Sequence, residues 1–136
     1  MRSQSLPSLL RRAGVVSVLA SLLAAAGCGS TDTTATAYLT WQIVDASYPD
    51  PQTAPALTCQ QKGVTTVRVQ LTPSTTGGVF DFPCATMAGE TFTVPSGTYT
   101  IQTIALNANF SALAQLTFPQ RLFGRTNLGH IIFQVK

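Results

Sequence analysis

From residue 37 onward the apolar residues of this chain recur at every second position. Leu39, Trp41 and Ile43 alternate with Thr40 and Gln42, Val67, Val69 and Leu71 with Thr66, Arg68 and Gln70, and Ile131, Phe133 and Val135 with His130, Gln134 and Lys136. A period of two places successive side chains on opposite faces, so each run reads as a strand with one buried face. Shorter runs at Val79–Pro83, Thr91–Val94, Thr98–Leu106 and Ala114–Phe118 bring the expected strands to seven. In the run 98–106 the apolar residues change phase, from Tyr99 and Ile101 to Ile104 and Leu106, which predicts a β-bulge between them. Turns are expected at Thr75–Gly78, Ala88–Glu90, Pro95–Gly97 and Gly124–Gly129, where glycine and small polar residues cluster. No stretch after residue 36 has sustained helical periodicity. These features predict an all-β domain, an antiparallel two-sheet sandwich of about seven strands, with a small barrel as the alternative closure.

The first 36 residues follow a different rule. Met1–Arg12 carries three arginines and no acid, and it precedes a 15-residue run of apolar and small residues, Ala13–Gly27. Such a run is too short to cross about 30 Å of hydrocarbon as a permanent helix, but it has the order of a secretory signal: a basic segment, an apolar segment, then small residues. The formal charge of +3 comes from this leader, because removing Arg2, Arg11 and Arg12 leaves five bases against five acids. A neutral remainder has no basic stripe to hold phosphates, so a nucleic-acid partner is not expected.

The six residues Leu23-Ala-Ala-Ala-Gly-Cys28 resemble a bacterial lipobox. The resemblance implies that the Cys28 sulfur takes a diacylglycerol, that a helical signal peptide (residues 1–27) is cut off before it, and that membrane lipid is the first partner, through acylated Cys28. Residues 28–36, polar and aperiodic, then read as a tether, and 37–136 as the domain. Gly29 after the cysteine, by analogy with the same family, favours the outer membrane of an exported, envelope-anchored protein. Later in the chain, Val94-Pro-Ser-Gly-Thr-Tyr-Thr-Ile101 resembles the strand, Pro-x-Gly turn and aromatic strand of transthyretin-like sandwich modules. That implies an Ig-like or transthyretin-like fold and carries no activity with it.

With Cys28 assigned to lipid, Cys59 and Cys84 remain, and an even pair in an exported chain is most simply a disulfide. No Cys-x-x-Cys motif suggests redox activity. His130 is the single histidine, so no site needing two imidazoles is available and no metal or other cofactor is expected. Alternation puts His130 on the solvated face, and no two acids have the spacing of an acid and base couple. Trp41 falls at an inward position: core filler against the disulfide, with a sugar-stacking platform as the alternative. The segment Asp45–Gly63 carries Pro49, Pro51 and Pro55, which deny ladder hydrogen bonds and resist helix formation, so it reads as a long loop. Tyr48 on that loop and Ile132, the one apolar residue at an outward position of the last strand, are candidate binding contacts. A non-enzymatic module binding an unknown envelope protein or polysaccharide is the expected function. The alternatives are an assembly accessory of a larger envelope complex, with Ile132, Leu122 and Phe123 as interface residues, and a small hydrolase using His130 and a loop carboxylate.

Overall fold

The alternation that begins at Ala35 builds β1 (Thr34–Asp45), whose odd-numbered residues from Ala35 to Ile43 are all buried. The computed structural model describes residues 33–136; the expected signal peptide and Cys28 lie outside them. β1 starts three residues inside the segment expected as tether, because residues 34 and 35 pair with Pro95 and Val94 and residues 35 and 36 with Gly124 and Arg125. The remaining strands are β2 (Thr66–Thr72), β3 (Gly78–Pro83), β4 (Ala88–Glu90), β5 (Val94–Pro95), β6 (Gly97–Leu106), β7 (Ala112–Leu122) and β8 (Gly124–Val135).

They form two four-stranded sheets. In the first, β1 is central: β4 and β5 lie antiparallel along one side of it and β8 parallel along the other, which corrects the expectation of antiparallel pairing throughout. The second runs β3-β2-β6-β7, antiparallel throughout. Both sheets contribute to one core, with Leu39, Trp41, Ile43 and Phe133 from the first and Val67, Val69, Leu71 and Ile101 from the second. Side chains that alternate in sequence thus meet across two layers, and the fold is all-β. Among the described residues no helix is long and apolar enough to cross a membrane.

Three local expectations are corrected. Ala88–Glu90, read as a turn, is β4, held by pairing with Tyr38, Leu39 and Thr40. Its Gly89 lies under the Phe82 ring, where a Cβ would come within 2.7 Å of ring carbons. Phe82 is itself packed against Trp41, with ring centroids 6.1 Å apart, and has little room to yield. Gly89→Ala should therefore cost about 1 to 3 kcal/mol through overpacking, visible as a lowered urea midpoint.

Gly124–Gly129, also read as a turn, is the first half of β8. The register against β1 breaks between Tyr38↔Asn127 and Thr40↔His130, so that two residues of β8 oppose Leu39 alone. Gly129 sits in this bulge at φ 88°, a conformation open to glycine at no steric cost. The insertion sets the phase of the second half of the strand, leaving His130 exposed and Ile131 and Phe133 buried.

In β6 the predicted phase change is absent. Tyr99, Ile101, Thr103 and Ala105 all face inward, and Ile104 is only half-buried. The register shift falls at the end instead, where Ala105 pairs with Ala114 and Leu106 with Ala112, so that Leu113 of β7 is the extra residue. Thr103 consequently occupies a fully buried position with no hydrogen-bond partner for its hydroxyl. Thr103→Val keeps the shape and removes an unpaired polar group, so it should stabilise the domain by about 1 kcal/mol, measurable as a raised unfolding midpoint.

The two ends of the domain differ. Thr33 enters beside Ser96, whose N–H donates to its carbonyl, and at this end lie the β2–β3 turn and the tight β7–β8 corner at Phe123. At the other end lie the long loop after β1 and residues 107–111 between β6 and β7.

Candidate functional site

The loop from Ala46 to Thr65 has three prolines, yet it is tied down along its length. Asp45 and Asp50 accept from the backbone N–H groups of Ser47 and Gln52 at 2.8 and 2.9 Å, local turns that short acidic side chains favour. Leu57 N–H donates to the Ile43 carbonyl at 2.8 Å, adding one bridge to the β4 side of β1. Thr58 and Gln61 bond reciprocally, main chain to side chain, around a single 3-10 turn at Gln60–Lys62. Gly63 then reverses the chain at φ 66°, and Val64 N–H donates to the Cys59 carbonyl.

Cys59, at the start of that turn, forms a disulfide with Cys84, which opens a second 3-10 turn (Cys84–Thr86) after β3. The bridge is secured from three sides. Trp41 Nε1 donates to the Cys84 carbonyl at 3.0 Å, Trp41 N–H to the Met87 carbonyl at 3.1 Å, and Cys84 N–H to the Thr65 carbonyl at 2.9 Å. Trp41 is 1% exposed. It is core packed against the disulfide segment, and its indole offers no face for a sugar to stack on.

Between the two disulfide-linked segments lies a groove of about 760 Å³, with Leu57, Cys59, Val64, Pro83, Ala85 and Met87 among its walls and Thr58, Gln60 and Thr65 as polar members. Among the described residues no charged side chain and no aromatic ring lines it. The volume is in the range of small-molecule and side-chain pockets, and a mostly apolar lining with a few hydroxyl and amide groups is the usual composition of such sites. The groove is far from the entry of the chain, alongside the last residues of β1.

Comparison with protein-family models, with curated proteins and with solved structures returns no match.

Of the residues singled out in the sequence, the Cys59–Cys84 pair lies at this groove, whereas the candidate binding contacts Tyr48 and Ile132 do not. Tyr48 is 42% exposed, and its carbonyl accepts from Gln134 Nε2 at 3.2 Å, which lays the start of the loop across the outer face of β1 and β8. That crossing explains Val44, which alternation points away from the core but which is fully buried. Ile132 is half-buried on the same outer face, paired with Gln42. Leu122, an expected interface residue, is fully buried in the core, whereas its neighbour Phe123 is exposed. His130 is exposed and its Nδ1 lies 2.8 Å from Thr40 Oγ1. Thr40 and Asp45 are five residues apart on one strand, about 16 Å, so the geometry does not pair His130 with Asp45. Among the described residues no three His, Cys, Asp or Glu side chains cluster where a metal ion would be held.

Electrostatics brace the site rather than line it. Lys62, on the first 3-10 turn, is ion-paired with Asp45 at the end of β1. That ammonium, with the Ser47 hydrogen bonds, holds the Asp45 carboxyl well below its ordinary value. Asp81, in a bidentate pair with Arg68, and Glu90, paired with Arg125, are lowered for the same reason. A carboxylate whose pKa is lower folded than unfolded stabilises fully above the unfolded value and loses that contribution as pH falls through the folded one. The ordinary values are 3.8 for Asp and 4.5 for Glu. The urea midpoint should therefore show no loss from these groups above about pH 5 and decline below pH 4.5. Asp45→Asn should make the decline shallower. Because all three pairs are partly solvated, each contribution is small.

Proposed function

We propose that the chain is a lipid-anchored protein of the bacterial envelope, carried on acylated Cys28, that meets its partners through a non-enzymatic sandwich domain of Ig-like or transthyretin-like kind. In this reading the groove beside the Cys59–Cys84 disulfide receives a segment of an envelope protein. The observation that carries it is the position of a mostly apolar groove, with no charged residue among its described lining, toward the end of β1 away from Thr34; an anchor at Cys28 would present it away from the lipid. The groove's wall residue Leu57 bridges Ile43, nine residues along β1 from Thr34 and so about 30 Å away. A polysaccharide is the less favoured partner, since sugar rings are commonly held on aromatic faces and no aromatic ring is among the described residues of the groove; aliphatic side chains of a protein segment suit the groove better.

A photo-crosslinker placed at Ala85, on the groove wall, in living cells tests this, with the same probe at Gln115 on β7 as reference. A discrete protein adduct at Ala85 alone, lost when Ala56→Arg fills the groove, supports the reading. Equal adducts from both positions would contradict it.

An assembly role is the second reading, and one feature favours it. β7 is an edge strand of the second sheet, uncharged from Ala112 to Gln120, with Leu116 exposed. Such an edge can add a strand from a neighbouring molecule. An adduct at Gln115 but not at Ala85 would select this reading over the first.

A further inference from the structure

Of the large apolar side chains exposed in the domain, three lie toward the end where the chain enters. Phe92 is 82% exposed, Phe123 61% and Val79 51%. Their placement follows from the topology. Thr34 pairs with Pro95, and Ala35 pairs with Val94 on one side and Gly124 on the other. Phe92 precedes β5 by two residues and Phe123 immediately precedes β8, so the two rings flank the entering strand. Val79 is the second residue of β3, next to the turn at this same end, and Phe92 is held against Phe80 of that strand with ring centroids 5.9 Å apart. Arg121, exposed and without a salt bridge among the described residues, is two positions before Phe123.

Exposed aromatics in one region of a small domain ask for a partner, and the length of chain outside the domain says which. From Cys28 to Thr33, whose carbonyl is already bonded to the domain, there are five peptide steps, at most about 18 Å fully extended. A domain tied to lipid at Cys28 by so short a connection cannot keep this end far from the headgroups. Aromatic rings are favoured at that depth, where an apolar body meets a polar boundary, and an arginine beside them suits phosphate-bearing lipid.

We infer that the entry end of the domain is a second membrane contact, in which Phe92 and Phe123 sit among lipid headgroups on either side of the entering chain and fix the domain upright with its groove pointing away from the bilayer. The inference rests on the lipid-anchor reading above. It adds an orientation that a tether alone does not impose.

The test uses the full chain, purified from membranes of a bacterial host that processes lipoproteins and reconstituted into vesicles of phosphatidylethanolamine and phosphatidylglycerol with or without brominated acyl chains. Phe92→Trp, Phe123→Trp and Tyr48→Trp are compared with the parent protein, whose one tryptophan, Trp41, lies seven residues along β1 from Thr34, about 23 Å, and serves as the internal reference. Circular dichroism checks that each variant keeps the parent's fold. Bromine should reduce the added emission of the variants at 92 and 123 and leave that of the variant at 48 unchanged. If the protein floats with the vesicles but neither ring position is quenched, the anchor reading stands and the contact is refuted. Equal quenching at 48, 92 and 123 refutes the orientation. Protein that does not float with the vesicles overturns the anchor and the contact together.

Discussion

Trp41→Ala should lower the stability of the domain by about 3 to 5 kcal/mol, the usual range for removing a buried large aromatic. The residue is 1% exposed, packs against Phe82, and donates its indole N–H to the Cys84 carbonyl. Truncation would leave a cavity in the core and an unpaired carbonyl at Cys84. A domain of this size has about 5 to 15 kcal/mol in total, so the variant is expected to lie near the unfolding threshold, with a sharply reduced urea midpoint. Trp41→Phe separates the two contributions. It keeps most of the buried ring and loses the hydrogen bond, and should fall between alanine and the parent. A parent-like midpoint for Trp41→Ala would mean that the sheets collapse into the space or that Trp41 is not central to the core.

Joint replacement of Cys59 and Cys84 by serine should cost about 3 kcal/mol on the chain-entropy account of a cross-link closing a loop of this length, here a separation of 25 residues. The loss should be partitioned unevenly. The β2-β3 and β2-β6 ladders do not pass through the bridge, whereas the segment 57–65 is otherwise joined to the body mainly near its two ends, by Leu57 to Ile43 and by Thr65 to Leu106 and Cys84, with the Lys62–Asp45 pair between them. Amide exchange should therefore accelerate most between residues 57 and 65 and at 84–87, and least in β2 and β6. Partner capture at Ala85 should weaken with it if the groove is the binding surface. Unchanged exchange in 57–65 would show that the prolines and the Asp45–Lys62 pair hold the loop without the bridge.

Much of the strand layout was legible because a half-buried strand leaves a period of two in the sequence. β1, β2 and the second half of β8 are the cases where that signal is unbroken. The strands that leave no such signal are those whose hydrogen bonds are imposed by a neighbour. β4 and β5 are three and two residues long and exist because β1 offers them an edge. The glycine-rich start of β8 is recruited by β1 in the same way, against its local preference. In β6 the pattern pointed to Ile104 while packing selected Thr103, since continuous pairing with β2 and β7 keeps one phase and a polar residue is carried into the core. The pairing of Cys59 with Cys84 could be read from residue type and an expected oxidising compartment. The groove could not. It has no motif, and its walls are small and aliphatic residues placed by the backbone path of two 3-10 turns. Tyr48 and Ile132 stand out by type and phase, but the loop that carries Tyr48 crosses the other face of the sheet.

The parallel pairing of β1 with β8 has a consequence for how the molecule comes into being. Thr40 and His130, bonded to each other, are 90 residues apart, and β1 is central to its sheet, so β1 lacks its longest partner until β8 has been synthesised. Non-local pairings of this kind slow folding and leave apolar strand edges open to misassociation in the interval. A polypeptide delivered amino terminus first must hold Leu39, Trp41 and Ile43 in an unfinished layer while nearly the whole domain follows. Closure of the first sheet thus waits for β8, and a nascent chain stopped before Gly124 should remain protease-sensitive however long it waits.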